Sequence, residues 1–541
     1  VHIDCHFWGL TKTVELLRRK TQSSQYWRES FEITQEDISY LMNLLLEEET
    51  PLTTEELALR LVRYRVEQEV ANLKEQLSRG KLYQPKDTYE NGDHLIFPAM
   101  NYREGQVIES RPGENPNYGP FTVIKVEFEN GGKVREFASD FPGAHALNRE
   151  SEKDLIEEAA LSPEALFAQE RDQLLPQIDQ QLEAQPDLVR FAGRWFVRQL
   201  LLEVNVGHLN LAEAVLDMNE GKPLPTDEIL PIVDLPAEVP VALRRFSLDY
   251  ALAQDDRFDE VGPSGEVLWH LHRMTPPGAL EKPEILHYKP VEYSRLRLTT
   301  EMLDLEAELD DEYSPLDVLE GNLDEATISL IYPHRRAGTL PLSSKLRPFF
   351  PKALETDLIR FTFIDGQTEE EMPGWVIPKE RYIHGLAEFY REHRLPIGVD
   401  IFIRRTDDPS RVIVDYDAYR PRTEWIRLAT PGDNKLTFKM SKRSIGARYE
   451  DLMVFGVDEV EDLETLSKLL ENRKRSLAYL LRDLVTELAR LTPQNAVHAK
   501  TLYSALNLIR RCPPGPMLAA LVENAEFEYV GGHYWRLSGR A

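Results

Sequence analysis

Basic side chains on expected turns and strand ends are the residues of this sequence whose types and spacing best suit chemistry, and that chemistry is the binding of phosphate. Between 331 and 450 they are Arg335, Arg336, Lys345, Arg347, Lys379, Arg381, Arg404, Arg405, Lys442 and Arg443. At such positions a guanidinium or ammonium can reach a phosphate without disturbing a core. An ordinary solvated β surface would carry the same residues. A second set, Lys74, Arg79 and Lys81, lies along an expected helix from Tyr64 to Leu82, where with Arg65 it outweighs Glu67, Glu69 and Glu75 by one charge. The stretch from Pro240 to Phe258 balances to zero, and Pro514 to Glu526 has no basic residue. Suitability for phosphate therefore falls toward the C-terminus.

Residues for bond-making chemistry do not assemble in the sequence. There is no Gly-x-x-x-x-Gly-Lys-Ser/Thr phosphate loop, no Gly-x-Gly-x-x-Gly, no His-Glu-x-x-His, no Cys-x-x-Cys and no Gly-x-Ser-x-Gly. Asp415, Asp417 and Glu424 come nearest to a nuclease carboxylate set but lack the lysine partner. His2, Cys5 and His6 lack a fourth ligand at zinc spacing. His270 and His272 flank Leu271 on an expected strand, so they point away from Trp269 and Leu271 and read as surface residues. Cys512, in Cys-Pro-Pro-Gly-Pro, reads as inert. No catalytic residue, metal or cofactor is assigned, and the chain is expected not to be an enzyme.

Composition narrows the class of partner. The 541 residues carry 64 basic and 92 acidic side chains, a net charge of −28, which argues against a passive nucleic-acid coat protein. Residues 331–450 depart from this, with 21 basic against 17 acidic, so the remainder stands at −32. Two cysteines exclude a disulfide scaffold and fit a reducing interior. No run of 18 apolar residues suggests a membrane span, and the first twenty residues lack the pattern of a secretory signal. A cytoplasmic location is expected.

The elements that must position these residues are read from periodicity. Ile38, Leu41, Met42 and Leu45 mark a helix, Thr53-Thr54-Glu55-Glu56 starts a second, and Val66, Val70, Leu73 and Leu77 mark a third. A hairpin around Asn91-Gly92 completes a winged helix over 31–97. Strands at Val107–Ile108, Phe121–Phe128 and Val134–Phe137 suggest a small β domain, and Leu188–Val197 a further hairpin turning at Gly193. Leu243, Phe246 and Tyr250 line a helix followed by strands on either side of Gly262-Pro-Ser-Gly265. The C-terminus repeats that ending: a helix near Met517, then Phe527–Val530, Gly531-Gly532 and His533–Leu537. Both copies carry Phe-x-x-Val-Gly and then Trp-x-Leu.

The order LNLAEAVLDMNEGKPLPTDEIL…LRRFSLDYALAQDDRFDEVGPSGEVLWHL resembles winged helices of the HARE-HTH kind, which include the N-terminal domain of the RNA polymerase delta subunit and modules of restriction and chromatin proteins. Farther on, Gly385-Leu-x-x-Phe389 and Leu395-Pro-Ile-Gly398-Val-Asp400-Ile-Phe402 resemble the second half of plant-type pseudobarrel DNA-binding domains of the auxin-response-factor kind. His384 stands where that family carries its leading Trp. The first resemblance implies a tie to the transcription machinery, the second a double-stranded DNA partner.

The expected fold class is α+β and multi-domain, with tandem winged-helix modules and at least one β-barrel-like domain. The parse is 1–97 a helix and winged helix, 98–148 a small β domain, 149–280 a helical and HARE-HTH-like block, 281–330 an acidic linker whose carboxylates form a solvated face, 331–450 a β-rich pseudobarrel-like domain and 451–541 a C-terminal winged helix. The expected function is that of a DNA-associated regulator or adaptor with a protein partner and no membrane. The alternative is a protein–protein scaffold of a defence or restriction system that does not touch DNA.

Overall fold

The structure is a computed structural model, and it describes residues 19–100, 103–128, 134–145, 147–148, 161–318, 321, 323–353 and 355–539. His2, Cys5 and His6 lie outside them. It is a mixed α/β chain that divides into two compact units, Val1–Glu203 with Ala237–Ser247, and Val204–Pro236 with Leu248–Ala541.

In the first unit, helix α1 (Gln35–Glu48) opens on a capping box: the Thr34 hydroxyl accepts from the Asp37 amide while the Asp37 carboxylate accepts from the Thr34 amide. A two-residue strand, β1 (Leu52–Thr53), leads into α2 (Thr54–Ser78). Here the structure departs from the sequence expectation. The second and third helices expected over 54–77 are one continuous helix, because no Gly or Pro interrupts the run. A helical period alone cannot mark where one helix ends and another begins. Nor is 82–97 a hairpin: β2 (Lys81–Leu82) pairs in parallel with β3 (His94–Phe97). The chain between them turns at Pro85 and folds Tyr89 inward, where the phenol donates to the Leu82 carbonyl at 3.1 Å. With β4 (Arg103–Pro112), β5 (Thr122–Phe128) and β6 (Arg135–Ser139) these strands form a five-stranded sheet, packed around Tyr83, Leu95, Phe97, Ile124 and Val126.

The hairpin that completes the first helical module comes from much later in the chain. Helix α3 (Pro163–Glu183) precedes β7 (Leu188–Phe191) and β8 (Arg194–Val197), and β8 pairs with β1, setting Leu52 opposite Trp195. The turn is made by Ala192 and Gly193, both at positive φ.

The second unit uses the same order twice. Its first instance runs through α4 (Val206–Met218), β9 (Leu224–Pro225), α5 (Thr226–Ile229), α6 (Val241–Leu252), β10 (Phe258–Glu260) and β11 (Leu268–Leu271). The unit boundary falls within α6. Trp269 pairs with Leu224. After the helix α7 (Thr300–Leu309), a seven-stranded sheet is built from β12 (Glu325–Ser329), β13 (Thr339–Pro341), β14 (Ile359–Asp365), β15 (Glu371–Ile377), β16 (Tyr382–His384), β17 (Asp400–Arg405) and β18 (Arg411–Asp415). Their order is 12-17-18-14-15-16-13, with β14 and β18 parallel and the other pairs antiparallel. Strand β14 alternates buried and half-buried along its length, as a sheet with one covered face requires. Two short helices flank the sheet, α8 (Tyr332–Ala337) and α9 (Ala387–Glu392). The helix expected over Tyr382–Glu392 thus begins only at Ala387, its first residues being spent on β16. Gly338 closes α8 at φ 68°, where a Cβ would stand 2.5 Å from that of Ala387.

Beyond this sheet lie a long hairpin, β19 (Ala418–Pro431) and β20 (Leu436–Ala447), with a third strand β21 (Phe455–Val457) parallel to β19. Helix α10 (Val460–Asn472) follows, and then the last instance of the repeated order: α11 (Leu477–Ala489), β22 (Val497–His498), α12 (Ala499–Ile509), α13 (Pro514–Glu523), β23 (Phe527–Gly531) and β24 (Tyr534–Leu537), with Trp535 opposite Val497.

The three tryptophans sit at matching places, and two of them end a matching polar network. Trp195 donates to the Thr54 hydroxyl at 3.0 Å, and Thr54 donates to Asp179 at 2.5 Å. Trp269 donates to Asp249 at 2.9 Å and to the Thr226 hydroxyl at 3.2 Å, while Thr226 also donates to Asp249. Each Thr follows the two-residue strand, and each Asp stands nine residues ahead of the first hairpin residue, Leu188 or Phe258. In the C-terminal module those two places hold Ala499 and Leu518, both buried.

Of the acids expected as a solvated face, Glu301, Asp304 and Glu308 are exposed, but four others are buried. Glu306, Asp310, Asp311 and Glu312 are at most 5% exposed. Arg511 lies 2.7 Å from both Asp311 and Glu312, Tyr503 donates to Asp311 at 2.6 Å, and His334 stands 3.3 Å from Glu312. Asp310 accepts from the Ser344 hydroxyl at 2.5 Å and from the Lys345 amide at 3.0 Å. A cluster of acids in sequence carries no mark of the cation that a later element will bring to it.

Candidate nucleic-acid interface

The expected phosphate-binding residues of the seven-stranded sheet are mostly engaged in holding the fold. Arg335 donates to the Leu395 carbonyl at 2.6 Å, and burial lowers its pKa. Arg381 reaches the Glu312 carbonyl at 3.3 Å, and the Lys345 ammonium donates to the Glu308 carbonyl at 2.8 Å. Arg336 pairs with Glu464 at 3.0 Å, and Arg404 with Asp415. Arg405 donates to the Pro348 carbonyl at 3.0 Å over the ring of Phe349. Arg347 is half-buried in a tight turn, its amide donating to the Ser343 carbonyl. Lys379 is exposed, 3.9 Å from Asp357. In the first unit, Lys74 is exposed on α2, Arg79 bridges Glu75 and Glu104, and Lys81 pairs with Asp93 at 2.8 Å. Within each unit most of these residues are compensated by carboxylates or backbone carbonyls.

The remaining two, Lys442 and Arg443, lie on the β19–β20 hairpin, and there the structure gathers what the sequence left dispersed. Residues 418–447 hold seven basic side chains (Arg420, Arg422, Arg427, Lys435, Lys439, Lys442, Arg443) against Glu424 and Asp433. The turn end is anchored in the helical core through Ala429, Leu436 and Phe438. Ile426 and Ile445 pack against Val454 on the opposite face. On the face that carries Ala429 and Phe438, Trp425 is 61% exposed and Met440 41%. Register sets Trp425 opposite Lys442 and Arg427 opposite Met440, and the Lys442 ammonium lies 5.1 Å from the Trp425 ring centroid. Arg422 lies over the Tyr419 ring at 5.5 Å.

Charge compensation on this hairpin is uneven. Arg443 pairs with Asp458 at 2.5 Å and Lys435 with Glu487 at 2.7 Å. Arg427 is largely buried, donates to the Asp451 carbonyl at 2.8 Å and has its pKa lowered by burial. Arg420, Arg422, Lys439 and Lys442 are exposed, with no carboxylate within 4.0 Å among the described residues. The sequence reading missed Trp425, Arg420, Arg422 and Lys439. The signal was present as seven cations interleaved with two exposed aromatic or thioether side chains over thirty residues, but alternation alone did not say which face would stay uncovered.

Groups resembling catalytic ones are otherwise occupied. His393 lies 2.6 Å from Asp365 and 3.1 Å from the Tyr416 hydroxyl. Burial raises the pKa of Tyr416. Asp415 accepts from Arg404 and Gln367, Asp417 lies 3.3 Å from Arg448, and Glu424 stands opposite Arg443 in register. His270, expected at the surface, is buried against Gly221 and Thr275. Among the described residues no group of three His, Cys, Asp or Glu side chains is placed to hold a metal ion, and no helix is long and apolar enough to cross a membrane. Comparison with protein-family models, curated proteins and solved structures finds no match.

Proposed function

We propose that this protein is a non-enzymatic DNA-associated regulator or adaptor whose principal contact with DNA is the second unit's β region. The observation that carries this reading is the set of exposed cations without carboxylate partners on one hairpin of a chain at −28. Exposed cations gathered on one hairpin without carboxylate partners give that region a local positive potential to which a polyanion is drawn. The seven-stranded sheet with its two short helices, and Asp400 at the head of β17, support a pseudobarrel-like DNA-binding domain. The recurring helix–strand–helix–helix–hairpin order supports tandem winged-helix modules, a class used for DNA and for protein contacts alike.

A protein partner fits the same picture. Helix α4 leaves Leu211 42% and Met218 83% exposed, seven residues apart on one helical face. This observation favours an adaptor that holds DNA and a protein, as a regulator of transcription would. It also favours the second reading, a scaffold that meets only protein.

The test is binding of the full chain to a duplex of about 20 base pairs, followed by anisotropy from about 50 to 200 mM salt. Binding should weaken steeply with salt. The variant Arg420→Ala/Arg422→Ala/Lys439→Ala should lower the log–log slope by about 0.9 for each phosphate it no longer neutralises. No binding of either duplex or single-stranded DNA at the lowest salt sinks the DNA reading and leaves the scaffold.

A further inference from the structure

We propose that Trp425, with Lys442 across the strand pair, is a stacking platform for an unpaired base of single-stranded DNA. This rests on the DNA-association reading above and assigns to the hairpin the form of DNA it takes.

Exposure sets Trp425 apart. Trp27, Trp195, Trp269, Trp375 and Trp535 are each at most 3% exposed, whereas Trp425 is 61% exposed. An indole left in water on a strand face forgoes much of the stabilisation that burying it would bring. Lys442, 5.1 Å from the ring centroid, steadies the indole on the strand face. Met440 and Thr423 share that face by register, which makes it partly apolar.

The charges choose the occupant. By register Lys442 shares the Trp425 face while Arg422 and Lys439 project from the other face of the same two-stranded ribbon, and none of these three has a carboxylate within 4.0 Å among the described residues, so the ribbon fits a partner that brings anions and flat apolar groups together. A single DNA strand supplies both, its phosphates to the cations and its bases to the ring. In a duplex the base faces are already stacked on one another, so a lone exposed indole on a sheet gains little there.

The experiment uses the full chain and fluorescein-labelled oligothymidylate of about 20 nucleotides, with a duplex of equal length as the second arm. Wild type should bind the single strand with quenching of tryptophan fluorescence. Trp425→Ala should weaken that binding about tenfold or more and abolish most of the quenching, while Trp425→Phe keeps most of the affinity. Lys442→Glu should weaken it as well. Duplex affinity of Trp425→Ala should stay within about twofold of wild type. Because the side chain is exposed, unchanged thermal melting will confirm that the variants are folded. Single-strand binding unaffected by Trp425→Ala overturns the platform even if duplex binding persists, in which case DNA association survives. Tighter binding of oligouridylate than of oligothymidylate overturns the assignment to DNA. Failure of wild type to bind either DNA form overturns both readings.

Discussion

Trp269 donates its indole N–H to the Asp249 carboxylate at 2.9 Å, with both side chains buried. The carboxylate also accepts from Thr226, so one charged acceptor satisfies a hairpin and the start of a helix at once. Removing it takes away the acceptor of the buried Thr226 hydroxyl and leaves the Trp269 indole its longer contact with Thr226 at 3.2 Å. Asp249→Ala should destabilise the second unit by about 2–4 kcal/mol, and Asp249→Asn, which keeps an acceptor, by clearly less. Chemical denaturation monitored by circular dichroism will measure the difference.

The matching tryptophans should not be equivalent. Trp269→Phe removes a donor from Asp249 and Thr226, whereas the place of that pair in the C-terminal module is taken by Ala499 and Leu518. Trp269→Phe should therefore cost about 1–2 kcal/mol more than Trp535→Phe. Equal losses in urea titrations would show that the polar network contributes nothing beyond packing.

Arg511 is the cation on which the buried acids depend. It is 1% exposed and lies 2.7 Å from Asp311 and from Glu312. Burial opposes ionisation of Glu312, but Arg511 and His334 outweigh it and hold that carboxyl below its usual range. Arg511→Met leaves buried carboxylates with too little positive charge and should destabilise by about 3–5 kcal/mol. Thermal melting of the purified variant provides the check.

Glu260 gives a stability change with a defined sign. Burial pushes its pKa up to about 7, from an ordinary value near 4.5 in the unfolded chain. Between those values the folded state holds the extra proton, so this residue's contribution to stability falls as pH rises. The loss begins near the unfolded value and is complete above about 7. Glu260→Gln keeps an acceptor for the Gly262 amide, which donates to Glu260 at 2.8 Å, and removes the titration. The variant should thus gain on wild type from pH 5 to pH 8, by up to about 3 kcal/mol. A gap between the two denaturation curves that does not change with pH would contradict the assignment.

Cys512 should be silent in the native protein. Burial pushes its thiol up to about 12, and the side chain is 1% exposed. Iodoacetamide near neutral pH should leave Cys512 unmodified until denaturant is added, as peptide mass mapping will show.

Local pattern carried much of this architecture. The hairpin 188–197 turns at Gly193 as expected because a paired positive-φ turn has a distinct residue signature. The shared hairpin endings were legible for the same reason, since Trp269 and Trp535 recur with the same two-residue step to Leu271 and Leu537. The third instance was less so, because its ending is Trp195 followed by Val197 and its first helix lies more than a hundred residues upstream.

The charge asymmetry of 331–450, the strand periodicity of β14 and the absence of nucleotide and zinc motifs were fixed by residue order, because each depends on residue identity or on neighbours close in sequence. The tertiary structure alone decided which cations were consumed. Arg335 and Arg381 meet carbonyls, and Arg511 meets two acids, across separations that no local period reports. It also decided that β1 would take its partner from β8 rather than from the strands that follow it, and that Trp425 would be left in water. Burial is a property of what arrives on the other side of a residue, and the sequence writes only one side at a time.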